Sequence, residues 1–262
     1  MIRKIIIGSI LSLSASLALA QTDNGNSISI GRKGINIENK SKPNKLFHVH
    51  FASLDLGFNA LSDATDYNSA ATQQYLQVPT DMRNTNLFDI KPVSSINVNI
   101  WPVMLELRLL QSSQHMFSLY TGAGTQIYNF KYKKNITYVN ETTPKIIEDN
   151  VIFSKNKLAV AYISVPLMFN YKTRLGGDTW FTVGAGLIGG YAYDVWTKQI
   201  SDERGKQKNS DAFNIDRFNL NFCGEIGVTD IIRFFGTYQL NNLYTSGLNQ
   251  HPYSIGIRFF GL

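Results

Sequence analysis

From residue 46 almost to its end the chain alternates apolar and polar side chains with a period of two. That spacing puts residues i, i+2 and i+4 on one face of a β-strand. In 158–174, Ile163, Val165, Leu167, Phe169 and Tyr171 share one face, and Ser164, Asn170, Lys172 and Arg174 the other. Segment 179–197 sets Phe181, Val183, Ala185, Leu187, Tyr191, Tyr193 and Val195 against Thr182, Gly184, Gly186, Gly190, Ala192 and Asp194. The plan recurs in 217–228 (Phe218, Leu220, Phe222, Ile226 and Val228 opposite Arg217, Asn219, Asn221, Cys223 and Glu225). It recurs again in 231–243 (Ile232, Phe234, Tyr238 and Leu240 opposite Arg233, Thr237 and Gln239) and in 252–260 (Tyr253, Ile255, Ile257 and Phe259 opposite Ser254, Gly256 and Arg258).

Three earlier segments have the same character with a change of phase. In 46–60 the apolar parity passes from Phe47, Val49 and Phe51 to Leu54, Leu56 and Phe58. In 93–110 it switches near Trp101-Pro102, and 115–132 begins with Phe117 and Leu119 and ends with Tyr128, Phe130 and Tyr132. One extra residue at each switch restores the facing, which is what a β-bulge supplies. Eight strands result, joined by long polar connections (61–92, 133–157, 198–212, 244–251) in strict alternation with tight turns (111–114, 175–178, 229–230).

An eight-stranded antiparallel sheet of this kind is either a soluble barrel or sandwich with apolar residues inside, or a membrane barrel with them outside. The polar face decides. It is rich in Gly, Ser, Asn and Ala with single charges such as Asp194, Arg217, Glu225, Arg233 and Arg258, where a water-exposed sheet carries bulkier residues. Small residues suit the cramped interior of an eight-stranded barrel, and isolated opposite charges there can pair. Tyr128, Phe130, Tyr132, Tyr171, Tyr191 and Tyr193 lie toward strand ends on the apolar face, as headgroup-level aromatic girdles do. The expected fold is therefore all-β, an eight-stranded antiparallel up-and-down transmembrane β-barrel over 46–262, with long loops outside the cell and both termini periplasmic.

Compartment agrees. Residues 1–20 read as a signal peptide, with Arg3 and Lys4 before an apolar stretch and Ala18-Leu19-Ala20 as a cleavage site. Residues 21–45 are polar and read as a flexible or loosely paired periplasmic leader. Without Arg3 and Lys4 the 25 basic residues fall to 23 against 19 acidic ones, a scattered excess of +4 that does not point to nucleic acid. Cys223 is the only cysteine, so an intramolecular disulfide framework is excluded.

No residue pattern in the sequence assigns a site for chemistry. Gly184-Ala185-Gly186-Leu187-Ile188-Gly189 matches G-x-G-x-x-G, but Gly190-Tyr191-Ala192-Tyr193-Asp194 continues the strand where a phosphate-binding helix would have to open. His48 and His50 share one strand face without an evident third ligand, so no metal is expected. A lipid-acting Ser-His-carboxylate site would have to draw on His115 or on His251 with Ser246 or Ser254, and no G-x-S-x-G elbow is present. Catalytic, cofactor-binding and metal residues are accordingly none, and no cofactor is expected.

The exported start, "AYISVPLMFNYKT" with its Gly turn, "FTVGAGLIGGYAY" and the closing "YSIGIRFFGL" together resemble the PorT-like outer-membrane β-barrel family of Bacteroidota over about residues 46–262. The resemblance implies a terminal strand, with Ser254, Gly256 and Phe259, that the barrel-insertion machinery reads; the chain departs by ending Phe260-Gly261-Leu262. Expected partners are outer-membrane lipid, that machinery, and an envelope or extracellular protein. The expected role is non-enzymatic, in surface interaction or envelope structure; a PorT-like accessory of secretion or envelope assembly, a lipid-modifying enzyme and a narrow pore stay open as alternatives.

Overall fold

The structure is a computed structural model that describes residues 26–31, 34–39, 46–139, 141, 143–177, 179–228 and 232–260. The expected signal peptide lies outside the described residues, as do the 229–230 turn and the final Gly261-Leu262. The chain divides at Lys45/Leu46 into two compact units. In the first, β1 (Asn26–Gly31) pairs antiparallel with β2 (Gly34–Asn39), Ile28 opposite Ile37.

The second unit is all-β in its main body. Its strands are β3 (Phe47–Asp63), β4 (Leu76–Gln77), β5 (Ile96–Gln111), β6 (His115–Lys131), β7 (Ile136–Val139) and β8 (Lys145–Glu148). There follow β9 (Lys155–Gly176), β10 (Thr179–Ser201), β11 (Gly205–Ser210), β12 (Phe218–Val228), β13 (Ile232–Gln239) and β14 (Gln250–Phe259). One helix, α1 (Ala70–Tyr75), is capped by the Ser69 side chain, which accepts from the Thr72 N–H at 3.2 Å. No helix among the described residues is long and apolar enough to cross a membrane.

A nine-stranded antiparallel sheet runs β11-β10-β12-β13-β14-β3-β5-β6-β9, and β9 pairs with β10 as well, from Thr179↔Gly176 to Ile200↔Lys155. Sequence neighbours make most of these pairs through hairpins; β14 reaches back to β3, with Gly256 opposite Gly57. A second, small sheet β4-β8-β7 forms in the long connections.

Burial in the main sheet is inverted relative to a water-soluble core. Ile163, Val165, Leu167, Phe169, Phe218, Phe222, Ile226, Phe234 and Ile255 are exposed, while Asp55, Asn99, Glu106, Ser164, Asn221, Glu225, Arg233 and Arg258 are buried. The phase switch in β3 falls at Ala52, whose φ of 53° is in the left-handed region that non-glycine residues seldom enter. In β5 the two residues Trp101 and Pro102 stand where β6 has Gly124 alone, between Ile100↔Thr125 and Val103↔Ala123.

Two expectations are corrected. β6 undergoes no phase switch: its register with β9 holds from Thr121↔Leu167 to Gly124↔Ser164, and Tyr128, Phe130 and Tyr132 are buried, not girdle residues on the exposed face. β10 does switch, at a bulge between Ala192↔Tyr162 and Asp194↔Ala161. Beyond it Thr197, Gln199 and Ser201 are buried, Val195 joins the interior, and Asp194 leaves the polar buried face; Arg217 is exposed as well.

Both corrections have one physical cause. Beyond the exposed apolar belt, the buried face of the sheet turns apolar because the long connections pack against it. Tyr75, Leu76, Leu87, Phe88, Ile136, Tyr138, Ile146, Phe213, Leu243 and Tyr244 from those connections join Tyr128, Phe130, Tyr132, Leu158, Val160 and Tyr162 in one core. The connections read from sequence as long and polar thus contribute apolar residues to a folded cap.

The β3–β14 seam is close: a Cβ on Gly256 would come within 2.2 Å of the Leu56 carbonyl oxygen and 2.4 Å of Gly57 Cα. Gly256→Ala is expected to destabilise the protein by about 1–3 kcal/mol through overpacking. An unchanged denaturant midpoint would show that the seam can open without cost.

Candidate functional site

Four strands, β3, β12, β13 and β14, bring a charged cluster onto the buried face of the main sheet. The phase switch at Ala52 turns Asp55 inward, and register places it directly opposite Arg258 of β14. Arg258 donates to Asp55 in a two-point fork, Nε to Oδ1 at 2.7 Å and Nη2 to Oδ2 at 2.8 Å. Its Nη1 reaches Glu225 Oε2 on β12 at 2.6 Å. Arg233 of β13 donates to Glu225 Oε1, as does Asn170 Nδ2 of β9 at 2.6 Å. Trp101 Nε1 and Asn99 Nδ2 complete Asp55 at 2.9 and 3.1 Å.

Two carboxylates and two guanidiniums balance. A buried charge left without a partner is costly, so the cluster holds only while every member is present. Phe260 lies against both guanidiniums, 4.2 Å from Arg233 Cζ and 5.9 Å from Arg258 Cζ at the ring centroid. A second focus surrounds Glu106, which accepts from Ser118 Oγ at 2.8 Å and pairs with His50 Nε2 at 2.9 Å, with Arg108 Nε at 3.6 Å. The charges foreseen at Glu225, Arg233 and Arg258 do meet; Asp55 and Glu106 were missed. Asp55 shares a parity with Ser53, Gly57 and Asn59, but its partner is apparent only once β3 is known to lie beside β14.

The residues weighed for chemistry are dispersed. His50 is engaged by Glu106, and no group of three or more metal-ligating side chains occurs among the described residues. His48 lies on the same strand face, half-buried. His115 Nδ1 meets Tyr171 Oη at 2.8 Å. His251 meets the Gln239 carbonyl and Asn249 Oδ1, both at 2.9 Å, whereas Ser254 donates to Asn59 Oδ1 at 2.6 Å and Ser246 to Asn214 Oδ1 at 3.4 Å. Neither serine is assembled with His251. Gly184 through Gly189 lie within β10, where a Cβ on Gly186 would meet the Leu167 carbonyl at 2.2 Å and one on Gly184 the Asn170 side chain at 2.0 Å, so these two serve strand packing, whereas a Cβ on Gly189 would meet nothing within 4 Å. Cys223 is buried and unbridged.

The cap is closed by a chain of tyrosine hydroxyls, Tyr132 to Tyr138 at 2.7 Å and Tyr138 to Tyr244 at 2.7 Å. Burial pushes Tyr132 up to about 12 and raises Tyr138 and Tyr244 well above the ordinary phenol range, so the hydroxyls stay protonated and can relay donors along the chain. At the cap's edge Arg204 forks onto Asp149, at 2.8 and 3.0 Å.

Arg258→Leu leaves Asp55 and Glu225 short of their main partner and is expected to cost about 3–5 kcal/mol. Ser254→Ala, on the same strand, removes one neutral hydrogen bond and is expected to cost about 1 kcal/mol. Equal losses in denaturant melts of the two variants would deny the cluster its special weight.

No family model and no curated protein matches the sequence. Among solved structures the chain is similar to Ail, the attachment invasion locus protein of Yersinia pestis, at 7% identity over 80% of this chain and 98% of that one, with a TM-score of 0.27. It is also similar to a structure described as "Asymmetric conductivity of engineered proteins", at 7% identity over 82% of this chain and 99% of that one, with a TM-score of 0.19. Neither superposition is close enough to carry an argument about this chain.

Proposed function

We propose that the chain is a non-enzymatic outer-membrane β-barrel that presents a folded cap for surface interaction. The observation that carries this reading is the inverted burial: apolar side chains face outward from β3, β5, β9, β10, β12, β13 and β14, and polar and charged ones fill the other side. In water such a belt would be an aggregation surface; in a bilayer it is the required exterior. The second partner of β9 supports closure into eight strands, since it leaves β9 and β10 paired on both sides and removes the free edges that lipid would not tolerate. Tyr171, near the turn end of β9, and Tyr191 and Tyr193, in mid-β10 where its pairing with β12 ends at Phe218, are exposed and fit an aromatic girdle.

In this reading the Asp55–Arg258–Glu225–Arg233 cluster crosses the lumen, which argues against a conduit, and the cap core stops the other end. The long connections face outward from the cell and the termini inward. The export signal, the PorT-like kinship and recognition of β14 by the barrel-insertion machinery belong to the same proposal and rest on the residues quoted above. A lipid-modifying enzyme is disfavoured because both ring nitrogens of His251 are engaged away from Ser246 and Ser254.

The protein is expected to need detergent for extraction and to migrate differently on gels with and without boiling; solubility in buffer alone would end the barrel reading. Ile255→Arg, at a residue 65% exposed, is expected to cost roughly 2–4 kcal/mol if it faces lipid. The same change at a water-exposed site costs within about 0.5 kcal/mol, so a neutral result is decisive against it. Orientation is tested in intact cells with a membrane-impermeant maleimide, since buried Cys223 gives little background. Glu203→Cys in the cap should label and Gln114→Cys in the short β5–β6 turn should not; the reverse pattern would invert the topology.

A further inference from the structure

Outside the cap core, register lines up like charges. Lys131 of β6 lies opposite Lys157 of β9, Lys157 opposite Lys198 of β10, and Lys198 opposite Lys208 of β11. Lys155 and Lys206 flank Ile200 in the next row. The intervening Asn156, Leu158, Thr197 and Gln199 are buried, so the lysines project from the outer face. Directly opposed like charges destabilise a sheet. None of the six has a carboxylate partner among the described residues, although the cap pairs other cations, as in Lys133–Asp89, Lys145–Glu141 and Arg204–Asp149.

The repulsion is felt at the row's centre. Burial, then the charges of Lys155, Lys198 and Lys208, bring Lys157 down to about 8. Lys198 is lowered too, chiefly by Lys155 and Lys206. An arrangement that opposes its own protonation is relieved by an anion.

What kind of anion follows from position. One row nearer the exposed apolar belt, Trp196 lies between two of the lysines, 5.0 Å from Lys208 Nζ and 5.7 Å from Lys157 Nζ at its ring centroid. Exposed Tyr191 and Tyr193 come next, and then the belt residue Leu187. At about 3.3 Å per residue, Lys198 is roughly 7 Å along β10 from Trp196 and about 16 Å from Tyr193. Tryptophan and tyrosine mark the bilayer interface, and long lysine stems reach along it. Four strands about 4.8 Å apart make the row about 14 Å wide.

We propose that the Lys131–Lys157–Lys198–Lys208 row, with Lys155, Lys206 and Trp196, binds the phosphate groups of anionic lipid in the leaflet bordering the cap. This rests on the barrel reading above. The lipid's phosphates replace the missing carboxylates, and Trp196 seats at headgroup depth beneath them.

The full chain, purified in a neutral detergent, is titrated with phosphatidylglycerol or phosphatidylcholine and the bound lipids are counted by native mass spectrometry. The wild type should retain phosphatidylglycerol over phosphatidylcholine. The triple variant Lys157→Gln, Lys198→Gln and Lys208→Gln should lose about a hundredfold in phosphatidylglycerol affinity. It should also melt at a higher temperature than wild type when anionic lipid is absent, because the repulsion is gone. Control changes at ion-paired Lys133, Lys145 and Arg204 should leave lipid retention unaltered. Equal retention by wild type and the triple variant overturns the proposal; displacement of the lipid by inorganic phosphate or heparin at matched anion concentration overturns its lipid assignment. Failure of the barrel reading is separate, because it appears as loss of heat-modifiable migration in the wild type itself.

Discussion

Arg258 is the member on which the interior depends. Among the described residues its guanidinium bridges the cluster's two carboxylates, Asp55 on β3 and Glu225 on β12, and it stands on β14 with β13 and its Arg233 between it and β12. Taking four charges out of water gains little net energy over a well-packed apolar filling, but breaking one link is expensive. The consequence is specificity of assembly. A slip of two residues would put Arg258 opposite Ser53 or Gly57 and leave Asp55 buried without its partner, so the cluster helps select the register that joins β14 to β3.

How far this was legible depended on whether two faces met different surroundings. In β9, β12, β13 and β14 the outer parity is apolar and the inner polar along most of the strand, and Ile163 to Tyr171, Phe218 to Val228 and Tyr253 to Ile257 were read correctly. The switches at Ala52 and Trp101-Pro102 were also legible, because a polar-to-apolar change marks them. The bulge at Tyr193 was not. Tyr191-Ala192-Tyr193 and then Val195 look like one continuous apolar parity, and nothing in the residue types announces that the facing reverses between them. Tyr128, Phe130 and Tyr132 failed for a different reason: an aromatic suits a lipid headgroup and a buried cap core equally, and only the tertiary neighbours Phe88, Tyr138 and Tyr244 tell the two apart.

Cross-strand partners were the other hidden layer. Asp55 and Arg258 are 203 residues apart in sequence, and the lysines of four strands form a row only when each register is known. Alternation states which face a side chain takes; it does not state what lies opposite. The cap illustrates the same limit, since Leu76, Leu87, Ile136, Ile146 and Leu243 stand alone or in short apolar pairs in separate connections and become a core only by converging.

The two charge arrangements in the molecule differ in a way that separates fold from interaction. In the Asp55–Arg258–Glu225–Arg233 cluster two carboxylates meet two guanidiniums, so it has no net charge to offer a ligand and serves to specify structure. Outside the cap core, six lysines share one patch without acidic partners among the described residues; burial and then the neighbouring lysines lower Lys157, and Lys155 and Lys206 lower Lys198. Folding alone gains nothing from such a row; substituting neutral residues would stabilise the sheet. A destabilising surface retained beside Trp196, at the margin of an apolar belt, is most simply accounted for by a phosphate-bearing neighbour that the isolated chain lacks.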